Sequence, residues 1–411
     1  MKTAAFIAQR LVSSSAVKSS VSAPIIKIAI TAICIGVVLM TWSVSIGIGF
    51  KQKIRQKVSS FQGHIQIMPV EDNTSDVSKT PIFLDSLTRM GLQDMDGVIH
   101  IQGVATKAGV IRTEEAVEGI LFKGVGKDFN ENEIKAFLIE GKMPQVKSDL
   151  NEEVIIPAPL ANRMQLKLGD RIPTYFLKDD GSGKYNLRVF NVVGIFKSGF
   201  QEFDNQWIIG DIRHLQRINK WQPNQVGNYE IYIQNFDQLE RISEEVYAQT
   251  PYDMMSQTIL DVHQFIFEWL SLLDFNVVLL LFIMILVASV NMVVVMLVLI
   301  LERTQLIGIL KALGANNKLI RNVFLLQALP IIAKGLFLGN VIALSTLTLQ
   351  YYTGFLALDP ENYHLAQVPV VFNIWHFLGI NLLTFLITLT SLLLPALLIA
   401  KVKPVQALKF S

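Results

Sequence analysis

Few residues in this chain are of a type that could do chemistry. They are the stretch Lys178 to Asn186 (KDDGSGKYN), six histidines, Ser198-Gly199 with Asp204, and a single cysteine. Each lacks the spacing its chemistry needs. A phosphate-cradling loop requires a glycine well ahead of the Gly-Lys pair and a Ser or Thr after the lysine to hold magnesium. Here the first glycine is missing and Tyr185 stands in the hydroxyl position. The histidines are scattered, with no His-Glu-x-x-His pair and no Cys/His cluster to ligate a metal. Ser198-Gly199 and Asp204 do not form a nucleophile elbow. Cys34 stands alone, so no intrachain disulfide can form. The reading is a non-catalytic chain with no metal and no cofactor of its own. A net charge of +2 supplies no basic field for nucleic acid.

A different kind of site lies at Glu302 to Ile320 (ERTQLIGILKALGANNKLI), a mixed-charge segment between two long apolar runs. Leu306, Ile309, Leu310 and Leu313 recur at helical spacing and predict one apolar face. Thr304 can cap the start, and Gly314 suits the positive φ that ends a helix. Arg303 and Lys311 flank the stripe. A loop this short builds no core of its own, so the face must dock on lipid, on the chain's own spans or on a partner.

The elements around it decide the class. The 411 residues are 51% hydrophobic and only 17% charged, against roughly 25% in soluble domains. Four apolar runs reach the roughly 20 residues needed to span a bilayer: Ile25–Phe50 (interrupted by Lys27), Phe275–Leu301, Val323–Gln350 and Trp375–Ala400. The first exceeds a signal-peptide apolar region and reads as an anchor. The predicted organisation is therefore residues 1–24, a first span 25–50, an inserted domain 51–274, and a region 275–411 holding three spans. Basic residues crowd the N-terminus, the loop between spans two and three, and the C-terminal tail. Both termini then lie in the cytoplasm. Lys51, Lys53, Arg55 and Lys57, on the predicted outer side of span one, run against that rule. Asn291 in span two reads as interhelical glue, and Lys334 as a snorkelling interfacial lysine.

Within residues 51–274, alternation predicts strands at HIQIMP (His64–Pro69), AVEGILFKGV and NYEIYIQN. IFLDSLTRM and FDQLERISEEVYAQ have helical spacing. EEVIIPAPLANRMQLKLGDRIPTYFL reads strand, helix, a Gly169-Asp170 turn, strand, and Lys178–Asn186 reads as a hairpin tip. The expected fold class is an α-helical membrane protein with four transmembrane helices and an α+β extracytoplasmic domain between helices 1 and 2.

The stretch LERTQLIGILKALGANNKLIRNVFLLQA, with Gly335 and Gly339 in the following span, resembles the segment shared by FtsX-like permeases of ABC transporters. The ending PALLIAKVKPVQALKF is similar to that family's C-terminus. Three further stretches, NVVGIFKSGFQEFDNQ, LANRMQLKLGDRI and LDPENYHLAQVPV, look most like its lipoprotein-releasing, Lol-type members, whose outer domain is MacB-like. The resemblance implies an inner-membrane permease that pairs with a cytoplasmic ATPase dimer, the holder of ATP and magnesium, and with a second permease subunit, identical or homologous. It implies a lipoprotein cargo and a soluble periplasmic carrier. Glu302, Arg303, Leu306, Ile309, Leu310, Lys311, Leu313 and Gly314 would then form the helix that couples to the ATPase. The cargo's acyl chains are expected at the outer ends of spans one and two: Val44, Ile46, Ile48, Phe265, Phe267, Trp269 and Leu272. The carrier-binding hairpin of related permeases matches Lys178, Asp179, Asp180, Gly181, Ser182 and Gly183, in a loop shorter than the carrier-binding type. An FtsX-like mechanotransmitter of a cell-wall hydrolase and a MacB-like efflux permease share the architecture and stand as alternatives.

Overall fold

The computed structural model describes residues 22–70, 77–113, 116–147, 149–178, 183–359, 363 and 365–397. They form two compact units. One comprises the described residues of 22–51, 269–357 and 368–397, and the other those of 52–268 with 358–359, 363 and 365–367.

The first unit is built on four helices long and apolar enough to cross a membrane. They are α1 (Ser22–Gln62), α2 (Gln264–Glu302), α4 (Asn317–Thr353) and α5 (Ile374–Ser391), with the short α3 (Thr304–Ala312) between the second and third. Both α1 and α2 overrun the predicted apolar stretches, because helix propensity continues where hydrophobicity stops. At the other end, α5 closes sooner than its apolar run predicts. Pro395 would collide with the carbonyl of Ser391, and the chain restarts as a short turn of helix at Leu393–Ala396. The tail from residue 398, with the family-like ending, lies outside the described residues.

The core of this unit joins Ile33, Val37 and Met40 of α1 to Ala288, Met292 and Met296 of α2 and to Phe324, Ala328 and Ile332 of α4. Gly335 and Gly339 let α4 lie directly on α1: a Cβ on Gly339 would fall 2.8 Å from Val37 Cβ and 2.9 Å from the Cys34 carbonyl oxygen. Small residues one turn apart are the usual means of close helix approach where lipid supplies no hydrophobic drive. Asn291 is half-buried in α2. Among the described residues, polar side chains join the helices at the reciprocal pair Asn340–Asn381 between α4 and α5, at 2.6 and 3.2 Å, and at Trp42 Nε1 donating to Thr346 Oγ1 at 2.9 Å between α1 and α4. Lys51, which ran against the charge rule, pairs with Asp274.

The second unit is a mixed ten-stranded sheet with helices. Its strands are β1 (Ile65–Pro69), β2 (Val98–Arg112), β3 (Val117–Val125), β4 (Leu138–Gly141), β5 (Glu153–Pro157), β6 (Arg171–Leu177), β7 (Tyr185–Phe196), β8 (Trp207–Asp211), β9 (Asn228–Ile233) and β10 (Met254–Thr258). The order is β10-β1-β9-β2-β3-β8-β5-β7-β4, with β6 pairing β2 and β7. Pairs β3–β8 and β5–β7 are parallel. The predicted strands and the strand–helix–turn–strand run are all present. The helix expected from Ile82 begins only at Ser86, because Asp85 caps it by accepting from Thr88 N–H at 2.8 Å, and Ile82 instead bridges Val226. Periodicity missed β2, the longest strand at 15 residues. Its middle is buried on both faces, so apolar and polar residues do not alternate.

Across β10, β1, β9 and β2, register aligns Gln257, Gln66, Glu230 and Gln102 in one row. Glu230 is buried and paired with the equally buried Lys123 of β3 at 2.6 Å. Gln102 donates to Glu230 at 2.8 Å, and the Lys123 ammonium also donates to the carbonyl of Phe61 near the end of α1. Burial pushes the Lys123 ammonium below the ordinary lysine range, and Glu230 opposes that shift. Arg55, another of the basic residues after span one, lies 4.2 Å over the Phe236 ring and 3.6 Å from Asp237.

Candidate functional site

Two features of the helical unit have the make-up of sites, and the first is α3. Only Arg303 separates α2 from α3, so the chain turns at once. Thr304 does not cap the start as expected. Its hydroxyl donates back to the carbonyls of Leu301 and Ile300, at 2.6 and 3.2 Å, as a threonine one turn into a helix can. At the far end Gly314 takes φ +87°, as predicted. The Ala315 N–H bonds to the Leu310 carbonyl at 2.9 Å and the Gly314 N–H to that of Lys311 at 3.0 Å, a Schellman closure that needs a left-handed residue.

The expected single face of Leu306, Ile309, Leu310 and Leu313 is corrected. Ile307 and Gly308, neither of them on that list, are the buried residues of α3, and Ile307 joins the core of the unit. Leu310 packs partly against the same core, and Leu306 is half-buried. Ile309 and Leu313 point away, 41% and 80% exposed, beside the exposed Glu302, Ala312 and Gly314. At 100° per residue, four apolar positions plus Ile307 are too many for one face. The helix is therefore anchored on one side and bare on the other. Arg303 and Lys311, each four residues from Ile307, are half-buried.

The second feature is an apolar cavity of about 400 Å³ between α1, α4 and α5. Its walls include Val44 and Ile48 of α1, Leu344 and Leu347 of α4, and Phe377 and Ile380 of α5. Thr41, Ser45, Asn373 and His376 are its polar groups, and no charged side chain lines it. Within the helical unit, not all of the residues expected to hold acyl chains line this cavity. Val44 and Ile48, four residues apart, share the cavity face of α1, whereas Ile46 sits about 200° round the helix from Val44. Trp269 meets the edge of Phe50 at 6.0 Å, and Leu272 is exposed. Phe265 and Phe267 belong to the other unit, the first exposed and the second stacked on Phe236 at 6.1 Å. The contributions of α4 and α5 were missed. The available signal was Thr41, Val44, Ser45 and Ile48 at i, i+3, i+4 and i+7, a helical stripe that alternates hydroxyl and apolar side chains.

In the sheet unit, β6 and β7 pair down to Leu177 and Tyr185, so the hairpin arms are present. Lys178 and Gly183 flank its tip, and Gly183 takes φ +66°. Asp179, Asp180, Gly181 and Ser182 lie outside the described residues. No group of three or more His, Cys, Asp or Glu side chains able to hold a metal occurs among the described residues.

Known families match on both units. Residues 28–248, over half of the chain, match the MacB-like periplasmic core domain, and residues 278–404 match the FtsX-like permease C-terminal family. The lipoprotein-releasing system transmembrane protein LolC of Haemophilus influenzae is 27% identical over 271 residues, 63% of this chain. That alignment spans 64% of the relative, slightly less than two thirds of its length. The lipoprotein-releasing system transmembrane protein LolE of the same organism is 20% identical over 402 residues, 95% of each chain. Among solved structures, the periplasmic region of MacB from Actinobacillus actinomycetemcomitans is similar at 12% identity and a TM-score of 0.34, covering 50% of this chain and 92% of that one. With four apolar helices, a mixed α+β sheet unit and both family matches in place, the chain belongs to the FtsX-like permeases of ABC transporters that carry a MacB-like periplasmic core domain.

Proposed function

We propose that this chain is the transmembrane subunit of an ABC transporter that releases lipoproteins from the inner membrane toward the outer membrane. In this reading both termini are cytoplasmic and the sheet unit is periplasmic. A separate ATPase dimer binds ATP and magnesium, and a second permease subunit, identical or homologous, completes the transporter. The observation that carries the reading is the likeness to LolE over 95% of both chains. The form of α3 supports the energy-coupling half. Its buried Ile307 fastens it to the spans, while Ile309 and Leu313 are bare toward the medium. Those two would seat in an apolar groove of the ATPase, with Glu302, Arg303 and Lys311 as rim contacts. Movement of the ATPase would then pass into α2 and α4, which α3 joins directly. The β6–β7 hairpin, with Lys178 and Gly183 at its neck, is the proposed contact for a soluble carrier.

The test is reconstitution of the chain with its ATPase and second subunit in vesicles holding an acylated lipoprotein. ATP should move the lipoprotein to the soluble fraction when a carrier is added. Ile309→Asp and Leu313→Asp should abolish ATPase co-purification while the permease still inserts and elutes as a single species. Retention of the ATPase by both variants would reject the docking face. A complex that hydrolyses ATP but leaves the lipoprotein in the vesicle would reject the cargo.

A further inference from the structure

A separate cavity, of about 330 Å³, lies within the sheet unit and is lined largely by polar side chains. Its floor is the row of Gln257, Gln66 and Glu230 on three neighbouring strands, with Asn228 two residues from Glu230 on the same face of β9. Gln62 at the end of α1 and Trp207 of β8 also border it. One wall, at Ser78, is pinned to β2: its N–H donates to the Thr106 carbonyl at 2.9 Å, and the two hydroxyls meet at 3.2 Å. Several groups of the lining have hydrogen bonds still to make. Gln66, only 8% exposed, gives its amide nitrogen to the Gln62 carbonyl at 3.0 Å, and its oxygen has no donor among the described residues. Gln257 reaches the Met255 sulfur at 4.0 Å and nothing closer. The buried indole N–H of Trp207 has no partner among the described residues. Buried polar groups are almost always satisfied, so a lining left unmet marks a place where something else supplies the partners.

The lining also says what kind of molecule that is. Its charges cancel: Glu230 is neutralised by Lys123, and the rim adds one exposed acid, Asp261, and one exposed base, Lys79. No net charge is left to select an anion or a cation, and hydrocarbon would strand the amides. Of the roughly four acceptor sites on a carboxylate, Lys123, Gln102 and the Tyr232 hydroxyl take three on Glu230, which leaves one for a further O–H or N–H. Carbonyl oxygen, amide N–H and carboxylate side by side suit a hydroxyl, which both donates and accepts. Spacing separates a sugar from a peptide. Neighbouring strands lie about 4.8 Å apart, so Gln257, Gln66 and Glu230 repeat at about that interval, and alternate equatorial hydroxyls of a pyranose ring have much the same separation. Same-side groups of an extended peptide, two residues apart, repeat at about 6.7 Å and fall out of step with the row. We propose that this cavity binds one neutral pyranose sugar, its alternate hydroxyls on Gln257, Gln66 and Glu230 with Asn228 beside them. The inference rests on the sheet unit alone and stands whatever the transporter's cargo is.

The experiment is saturation-transfer NMR on the full chain in phospholipid nanodiscs, because a sugar-headed detergent would compete. Glucose, N-acetylglucosamine and the N-acetylglucosamine trimer are the probes, and saturation should reach the ring protons of at least one. A tighter fit for the trimer than for its monomer assigns the end of a glycan chain, and an equal fit assigns a free sugar; either upholds the site. Gln257→Leu should weaken the binding about five-fold, the loss of one neutral hydrogen bond, without changing the elution of the chain. Asn228→Leu is the second variant should the first fail to elute as a single species. Met68→Trp, which fills the cavity from β1, should remove the signal. Mannitol, which has the hydroxyls without the ring, and glycylglycine should give no signal above that of the filled variant. Absence of transfer to all three sugars in the unaltered chain overturns the proposal and leaves the cavity to water. Binding unchanged by the leucine variant, or surviving Met68→Trp, also overturns it, as does mannitol or glycylglycine bound as tightly as the best sugar.

Discussion

Replacing Lys123 by Met should destabilise the sheet unit more than any surface substitution, through a charge left behind. Lys123 Nζ sits 2.6 Å from Glu230 Oε1, with both side chains only 2% exposed, and 5.7 Å over the Trp207 ring. It also donates to the Phe61 carbonyl. Met fills the space but leaves the Glu230 carboxylate buried without its cation, retaining only Gln102 Nε2 at 2.8 Å and the Tyr232 hydroxyl at 3.4 Å. Breaking one half of a buried pair typically costs about 3–5 kcal/mol. For a unit of this size, 1 kcal/mol moves the melting temperature by about 2–4 °C, so a fall of about 10 °C is expected. The assay is thermal unfolding of the full chain in detergent, followed by tryptophan fluorescence. The double variant Lys123→Met with Glu230→Gln removes the stranded charge and keeps an acceptor for Gln102, so it should recover more than half of the loss. A single variant shifted by under about 3 °C, or a double as unstable as the single, would show that the pair is not what holds this region.

Acidification should weaken the sheet unit through His64. Burial lowers its pKa to about 4, and its Nδ1 accepts the Ile233 N–H at 3.3 Å, a bond that only the neutral ring can make. Above about pH 6.5 neither the folded nor the unfolded state binds the proton. Between 6.5 and 4 only the unfolded state does, so stability falls with pH across that window, by up to about 3 kcal/mol. The slope should flatten in His64→Asn when melts are compared at pH 7 and pH 5; an unchanged slope would point elsewhere. Gly339→Ile should lower the melting temperature of the helical unit by forcing α4 off Val37 and the Cys34 carbonyl, at a cost of about 1–3 kcal/mol. Gly379→Ile, where nothing lies within 4 Å, should be near neutral, and equal effects at the two positions would refute the close-approach argument.

Much of the fold is legible because hydrophobicity and turn chemistry are local. The four apolar runs became the four long helices, and Gly314 became the left-handed closure of α3. Alternation located β1, β3 and β9 but not β2, where burial on both faces erases the pattern. The site was less legible. Leu306, Ile309, Leu310 and Leu313 were grouped by spacing, yet the structure turns Ile307 inward and leaves Ile309 and Leu313 outward. A helix that can bury on more than one side does not announce which side faces its own protein.

The chain's sequence by itself determined its membrane class, its α+β insertion, the short helix between two spans and its family, since each depends on residue type within a few turns or on motif identity. Only the tertiary structure decided which side of α3 is free, that Lys123 and Glu230 meet 107 residues apart, and that Thr41, Leu344 and Phe377 line one cavity. Those are contacts between distant segments. They are set by which helix faces fit together and by where a buried polar group finds its partner, and no local period records either.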